Sequence, residues 1–179
     1  FYHELDDDPL ISIPELFYDY KYKNKAERII SQEFDRSSSH KIVVIDPYVD
    51  PRSIQQVTIL FASLVGRELY YLTNYNQPFS CPQDGCPHQR RDPDDLKSRV
   101  NRARREVLRK ELFKKFEVLP LPFPFHDRYL LSIEGGEIDK CLMVGSSLNM
   151  FLKNKSSIVK IDNFSFKKKL FDKVVRGSV

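Results

Sequence analysis

The fold of this chain is decided by residues 125–162, which read FHDRYLLSIEGGEIDKCLMVGSSLNMFLKNKSSIVKID. Two apolar runs, residues 129–133 and 141–144, flank a Gly-Gly pair, and a third apolar run covers residues 157–161. Runs that are apolar on both faces are typical of strands in the middle of a sheet that is covered on both sides. We therefore predict three short β-strands joined by tight connections, with His126 at the start of the first.

A strand–helix–strand unit is predicted upstream of this stretch. Residues 41–50 read KIVVIDPYVD, and their β-branched run predicts a buried strand. Asp50 followed by Pro51 is typical of a helix N-cap with proline at the first helical position, and Gly66 is the expected stop after about residue 65. Residues 68–73, ELYYLT, predict the next strand. This spacing favours a βαβ crossover with parallel strands, and therefore an α/β fold.

The rest of the chain is interpreted as one domain with an arm. The remaining elements are predicted as helices at residues 15–34, 92–116 and 164–175 and a strand at residues 117–121. The helix at 92–116 has an apolar stripe formed by Val100, Ala103, Val107, Leu112 and Phe116. We assign residues 1–14 to an N-terminal arm or linker and residues 15–179 to the domain, with a loop inserted at residues 74–91.

Composition excludes some classes of protein and leaves others open. The chain has 179 residues, a net charge of +4 and three cysteines, and no apolar run approaches the roughly 20 residues that a bilayer span needs. An odd number of unevenly spaced cysteines is not a disulfide framework, so we expect a reducing, cytoplasmic location and no membrane partner. Because the chain begins at Phe1 and not at Met, we expect a fragment or a processed form.

The residues that could take part in a reaction lie directly before one predicted strand and directly after the next. His126 is a candidate nucleophile, because an imidazole can attack phosphorus and form a phosphohistidine. Arg128, two residues along, lies on the same face of an extended chain and can neutralise phosphate oxygens. Ser146, Ser147 and Asn149 follow the next strand and can hold the remaining oxygens. None of this chemistry requires a metal ion.

In these motifs the sequence resembles the phospholipase D superfamily, whose signature is His-x-Lys, four residues, then Asp, followed by Gly-Ser-x-Asn. The match is carried by His126, Arg128 and residues 145–149, and the resemblance extends over about residues 41–175. It implies a three-layer αβα sandwich around a mixed, partly parallel sheet. It also implies a metal-independent phosphodiesterase in which two such motifs, from two halves or from two subunits, share one active site. One histidine is then phosphorylated and the other acts as the acid.

The motif in this chain is degenerate. Arg128 replaces the lysine, Ile133 stands where the aspartate is expected with Glu134 beside it, and Leu148 displaces Asn149 by one position. The missing aspartate would orient the histidine, and arginine binds phosphate differently from lysine. Two hypotheses follow. One is a nuclease that acts as a homodimer or with another domain. By resemblance to single-motif bacterial members of the superfamily, it would serve in restriction or defence. The other is a non-catalytic nucleic-acid-binding or dimerisation module of a larger protein.

The predicted inserted loop contains a candidate structural zinc site. Cys81, Cys86 and His88 are suitable zinc ligands, but Cys-x4-Cys-x-His is an uncommon spacing and supplies three ligands instead of four. His40 and His3 are conceivable fourth ligands, whereas Cys141 lies in a predicted buried strand and is a poor candidate. The alternative is a surface loop with two free thiols.

The predicted helix at residues 92–116 has one densely basic face. Uncompensated positive charge along one helix is unfavourable unless an anion lies nearby. We therefore predict that this face contacts nucleic acid, with DNA favoured over RNA, through Arg99, Arg102, Arg105 and Arg109. The alternative is an ordinary solvated face, as most charge runs are. Basic surface without a membrane-seeking amphipathic helix favours a nuclease over a lipase.

Overall fold

The structure is a computed structural model that describes residues 16–18, 23–35, 37–75, 93–145 and 156–179. The strands are β1 (Leu16–Tyr18), β2 (Lys41–Ile45), β3 (Glu68–Thr73), β4 (Lys115–Pro120), β5 (Tyr129–Glu134), β6 (Glu137–Val144) and β7 (Ser156–Lys160). The helices are α1 (Lys23–Asp35), α2 (Pro51–Leu60), α3 (Pro93–Arg109) and α4 (Phe164–Leu170), and a π-type turn at Phe171–Val175 extends α4.

One mixed sheet runs through the described part of the chain, in the strand order β1-β7-β6-β5-β2-β3-β4. The strands β2, β3 and β4 are parallel, as expected for crossover connections, and the remaining pairs are antiparallel. Ile45, which ends β2, pairs with Tyr129, which begins β5, and Tyr129 pairs with Met143 near the end of β6. The end of the sheet where β2, β3, β4 and β6 finish and β5 begins is called the carboxyl end below.

Helices cover both faces of the sheet. Along β2, Ile42 and Val44 pack with buried side chains of α1, α2 and α3, whereas Val43 and Ile45 pack with those of α4 and its extension. Alternate residues of a strand point to opposite faces, so both faces of this strand must be apolar for the layers to form. The predicted α/β class, with three αβα layers around a mixed sheet, is confirmed.

The turns and caps that position the carboxyl end follow from local sequence. Asp50 caps α2, since its Oδ1 accepts a hydrogen bond from the Ser53 N–H at 2.8 Å, and Pro51 occupies the first helical position. Gly135 and Gly136 join β5 to β6 with φ angles of 60° and 81°. Two successive positive φ angles fit the hairpin turns that match strand twist, and glycine adopts them without steric cost.

The first predicted helix was wrong in its N-terminal part. The prediction began at residue 15, but Leu16–Tyr18 forms β1 and α1 begins only at Lys23. β1 pairs antiparallel with β7, with Leu16 opposite Ile158. This pairing gives backbone partners to the outer side of β7, which local sequence around residue 16 does not reveal.

Two predicted helices were too long at their C-terminal ends. The helix starting at Pro51 ends at Leu60 instead of about residue 65, and α3 ends at Arg109 instead of Phe116. Glu111 has a φ angle of 55°, which a continuing right-handed helix does not allow. Phe116 lies in β4 and pairs with β3, so tertiary pairing overrides the apolar stripe that extended the predicted helix.

A buried polar seam joins the segment after α1 to the β5–β6 hairpin. The Ser37 hydroxyl donates to Asp139 Oδ2 at 2.7 Å, and Ser132 Oγ accepts the Lys140 N–H at 3.0 Å. Burial acts to raise the pKa of Asp139, but the Ser37 hydrogen bond and the nearby Lys140 charge outweigh it and hold that pKa below its ordinary value. The ionised carboxylate therefore stabilises the folded state.

The Asp139→Asn variant is expected to show a weaker loss of stability in acid than the wild type. A carboxyl whose pKa is depressed in the folded state contributes to the free energy of unfolding. The contribution is fully present above the unfolded pKa of about 4 and is lost as pH falls through the folded pKa. Urea unfolding at several pH values between about 2.5 and 6 measures the slope of the free energy of unfolding against pH. Asp95→Asn removes a carboxyl from the exposed surface of α3 and is the control for the loss of one acidic group. Parallel curves for wild type and Asp139→Asn would contradict the assignment.

Candidate functional site

The centre of the site is Asp46, which directly follows β2 at the carboxyl end of the sheet. Its side chain is 0% exposed. Oδ1 accepts the Tyr48 backbone N–H at 3.0 Å, and Oδ2 accepts the Tyr71 hydroxyl at 3.0 Å. Arg128 Nε lies 3.5 Å from Oδ1. The buried carboxylate is therefore balanced by a cation and by hydrogen-bond donors, as a buried charge requires.

Tyr71 is a permanent hydrogen-bond donor to this carboxylate. Complete burial raises the pKa of its hydroxyl well above the ordinary value, and the Asp46 charge adds to the effect. The proton therefore remains on Tyr71, and the hydroxyl remains a donor toward Asp46 throughout the neutral range.

Arg128 is held between the buried anion and an aromatic ring. Its guanidinium carbon lies 4.8 Å from the centre of the Tyr48 ring, a cation–π distance, and its side chain is 20% exposed. Its Nε is buried without a hydrogen bond, so the contact with Asp46 is ionic. The terminal nitrogens make no hydrogen bond within the described ranges, and they are the atoms with which this side chain could bind an external anion.

His126 lies three residues before Tyr129, the first residue of β5, and its side chain is exposed. Its Nδ1 lies 3.4 Å from the Tyr48 hydroxyl. The ring is not enclosed by apolar side chains, and an external phosphate ester can reach it. Nε2 has no hydrogen bond to any residue whose structure is described, so it is the nitrogen available for reaction.

The residues that follow the histidine motif along β5 do not assist it. Ile133 is 8% exposed and belongs to the core on the α4 face of the sheet. Glu134 ends β5, at the opposite end of the sheet from His126, and accepts a hydrogen bond from Ser38. The absent aspartate is therefore not replaced by its neighbour in sequence.

Gly145, the first residue of the Gly-Ser-Ser segment, lies at the same end of the sheet as His126. The Val144 N–H donates to the Arg128 carbonyl at 2.9 Å, and the Gly145 N–H donates to the Ser157 carbonyl at 2.9 Å. These bonds place Gly145 beside the start of β5. The predicted phosphate-binding residues Ser146 and Ser147, and Asn149, lie outside the described residues.

The candidate zinc ligands Cys81, Cys86 and His88 also lie outside the described residues. Across the described ranges, no group of three or more histidine, cysteine, aspartate or glutamate side chains could hold a metal ion. Cys141 is a buried free cysteine, and burial raises the pKa of its thiol far above the usual range. Cys141 is therefore a core residue with the properties of a small apolar side chain.

The predicted nucleic-acid contacts form an exposed stripe on α3. Arg99, Arg102, Arg105 and Arg109 are all exposed, and Arg99 lies 3.8 Å from Asp95. The helix runs from the carboxyl end of the sheet toward the opposite end, because it connects the parallel strands β3 and β4. Ten residues of helix cover about 15 Å, so the stripe leads away from the His126 end. A neighbouring arginine, Arg104, is structural because it donates to the Phe116 carbonyl at 3.1 Å.

Three residues of the site were not predicted from the sequence: Asp46, Tyr48 and Tyr71. The available signal was the Asp-Pro-Tyr segment directly after a buried strand, since ligand sites in α/β folds lie where strands end. Nothing in the local sequence indicates that Tyr71, in the middle of β3, donates to Asp46.

No family model matches this chain, and no curated protein matches it at a significant level. In the described part of the chain, no helix is long and apolar enough to cross a bilayer.

Proposed function

We propose that this chain is a phospholipase D-like half-site that hydrolyses phosphodiesters of nucleic acid without a metal ion. The observation that carries the proposal is an exposed imidazole beside a partly exposed guanidinium, both at the carboxyl end of the sheet and both touching Tyr48. His126 supplies a nucleophile and Arg128 a positive charge for the phosphate. Gly145 lies at the same end of the sheet, and the serines that follow it in sequence would offer further donors to the phosphate oxygens.

The proposed reaction has two steps. In the first, Nε2 of His126 forms a bond to phosphorus while the bond from phosphorus to the leaving oxygen breaks, and that oxygen takes a proton from an acid. In the second, water attacks phosphorus, the N–P bond breaks, and the proton of the water passes to the group that served as the acid. Arg128 neutralises charge on the non-bridging oxygens in both steps.

The acid for the first step implies a second copy of the motif. The sequence contains one His126-type motif, and the described residues place no other histidine at this end of the sheet. A homodimer that brings two His126 rings to one phosphate would provide both nucleophile and acid. Another half of a longer protein would serve equally.

A second function, nucleic-acid binding without turnover, is favoured by two observations. Ile133 occupies the position of the missing acid and lies in the core, and the charge of Arg128 is already balanced by Asp46. Such a site would hold a phosphate, although it would lack the electrostatic support for cleavage. It would suit a binding or dimerisation module of a larger protein.

The experiment that separates the two functions is incubation of the wild type and of His126→Ala with end-labelled DNA and RNA in excess EDTA. Cleavage by the wild type alone supports the phosphodiesterase. Binding by both proteins without cleavage supports the module. Absence of both cleavage and binding at low salt would contradict both functions.

The Arg102→Glu/Arg105→Glu double variant is expected to bind nucleic acid at least about tenfold more weakly than the wild type. Each lost phosphate contact also reduces the slope of log affinity against log salt by about 1. Fluorescence anisotropy with a labelled oligonucleotide from about 50 to 300 mM salt measures both quantities. Lys168→Glu/Lys169→Glu, on exposed positions of α4 across the sheet, makes the same charge change and is the control. Equal losses for the two variants would reject a specific role for the α3 stripe.

A further inference from the structure

We propose that Tyr48 is the positioning residue of this site, holding His126 through its hydroxyl and Arg128 through its ring. This inference deepens the proposed function and rests on it for its catalytic consequence. Tyr48 touches all three chemically active groups: its hydroxyl lies 3.4 Å from His126 Nδ1, its ring lies under the Arg128 guanidinium, and its backbone N–H donates to Asp46.

The segment that carries Tyr48 is fixed on both sides. On its N-terminal side, the Asp46 carboxylate accepts the Tyr48 N–H at 3.0 Å and the Tyr71 hydroxyl at 3.0 Å. On its C-terminal side, buried Asp50 and Ser53 form a reciprocal capping box at the start of α2. A side chain between two buried anchors loses little further entropy when it holds a neighbour, so it can define the position of that neighbour.

The hydroxyl of Tyr48 acts on the histidine nitrogen that does not react. When Nδ1 carries the imidazole proton and donates it to the Tyr48 oxygen, Nε2 is left with its lone pair directed away from Tyr48, toward the exposed side. The 3.4 Å contact is long, as catalytic hydrogen bonds often are before substrate binds. Ile133 is in the core and its aliphatic side chain cannot orient the ring, whereas the Tyr48 hydroxyl contacts the ring at Nδ1.

The ring of Tyr48 acts on Arg128. The guanidinium carbon is 4.8 Å from the ring centre while Nε faces Asp46 at 3.5 Å. These two contacts fix the guanidinium plane from one face and one edge. The terminal nitrogens are thereby presented to an incoming phosphate in a defined orientation, which lowers the entropy lost when the phosphate binds.

Two variants separate the roles of the hydroxyl and the ring. Tyr48→Phe retains the ring and removes the hydroxyl, so cleavage is expected to fall about tenfold while the Kd for inorganic phosphate changes less than about twofold. Tyr48→Leu also removes the ring, and phosphate affinity is expected to fall about fivefold or more. Tyr70→Phe, which removes a hydroxyl bonded to Glu68 at 2.8 Å at the other end of the sheet, is the control and should change neither quantity.

A readout that does not depend on activity is the tautomer of His126, measured by the ¹⁵N chemical shifts of its ring nitrogens at about pH 8.5, where histidine is ordinarily neutral. We expect the Nδ1-protonated tautomer to dominate in the wild type and in Tyr70→Phe. In Tyr48→Phe its population should no longer exceed that of the Nε2-protonated tautomer. A dominant Nε2-protonated tautomer in the wild type, or unchanged shifts in a folded Tyr48→Phe protein, would overturn the role of Tyr48. If the wild type cleaves nothing but the tautomer responds to Tyr48→Phe, the positioning role stands and the phosphodiesterase fails.

Discussion

The His126→Ala variant is expected to lose at least about a thousandfold of metal-independent cleavage while retaining nucleic-acid binding. The expectation follows from removing the nucleophile itself, since the covalent route through an N–P bond then has no alternative group at this position. Stability should change little, because the side chain is exposed and its side-chain hydrogen bond to a described residue is the long one to Tyr48. Single-turnover cleavage in EDTA measures the rate.

The matched control is His40→Ala, since His40 is also exposed but precedes β2 at the opposite end of the sheet. It should cleave at the wild-type rate. An acid-labile phosphoprotein that forms in the wild type and is absent from His126→Ala would identify the intermediate directly. Equal cleavage by His126→Ala and the wild type would remove His126 from the reaction and leave only a binding role for this end of the sheet.

The Asp46→Ala variant is expected to lower the free energy of unfolding by about 3–5 kcal/mol. Removing the fully buried partner of this ion pair leaves the mostly buried charge of Arg128 without compensation, and breaking a buried pair in this way commonly costs this much. The substitution also removes the acceptor of the buried Tyr71 hydroxyl and of the Tyr48 N–H. Loss of the acceptor of a buried donor adds to this cost.

Urea unfolding at neutral pH measures this loss, with Asp95→Ala as the control. Asp95 also pairs with an arginine, at 3.8 Å, but both side chains of that pair are largely exposed, so its removal should change stability by less than about 0.5 kcal/mol. Asp46→Asn retains one acceptor for Tyr71, so its loss of stability should lie between those of Asp46→Ala and Asp95→Ala. A loss below about 1 kcal/mol for Asp46→Ala would show that this carboxylate does not hold the site together.

The residues of the candidate site that could be predicted are those that lie close together in the sequence. His126 and Arg128 are two positions apart in the segment that leads into β5, and the pairing of β6 with β5 brings Gly145 to the same end of the sheet. Asp46 and Tyr71 were not assigned, because their importance lies in a contact between β2 and β3 that joins residues 25 positions apart. A hydrogen bond across strands depends on register, and register is set by pairing of the whole sheet.

The sequence by itself determined the layers of this protein. Apolar residues on both faces of β2 and β5 require helices on both sides, and the spacing of strand, helix and strand requires the parallel pair β2–β3. Only the tertiary structure decided that Leu16–Tyr18 joins the sheet and that Phe116 lies in β4, because backbone pairing with distant strands outweighed local helical periodicity. It also decided that a buried Asp46 and the ring of Tyr48 hold Arg128, since strand pairing brings the end of β2 beside the start of β5.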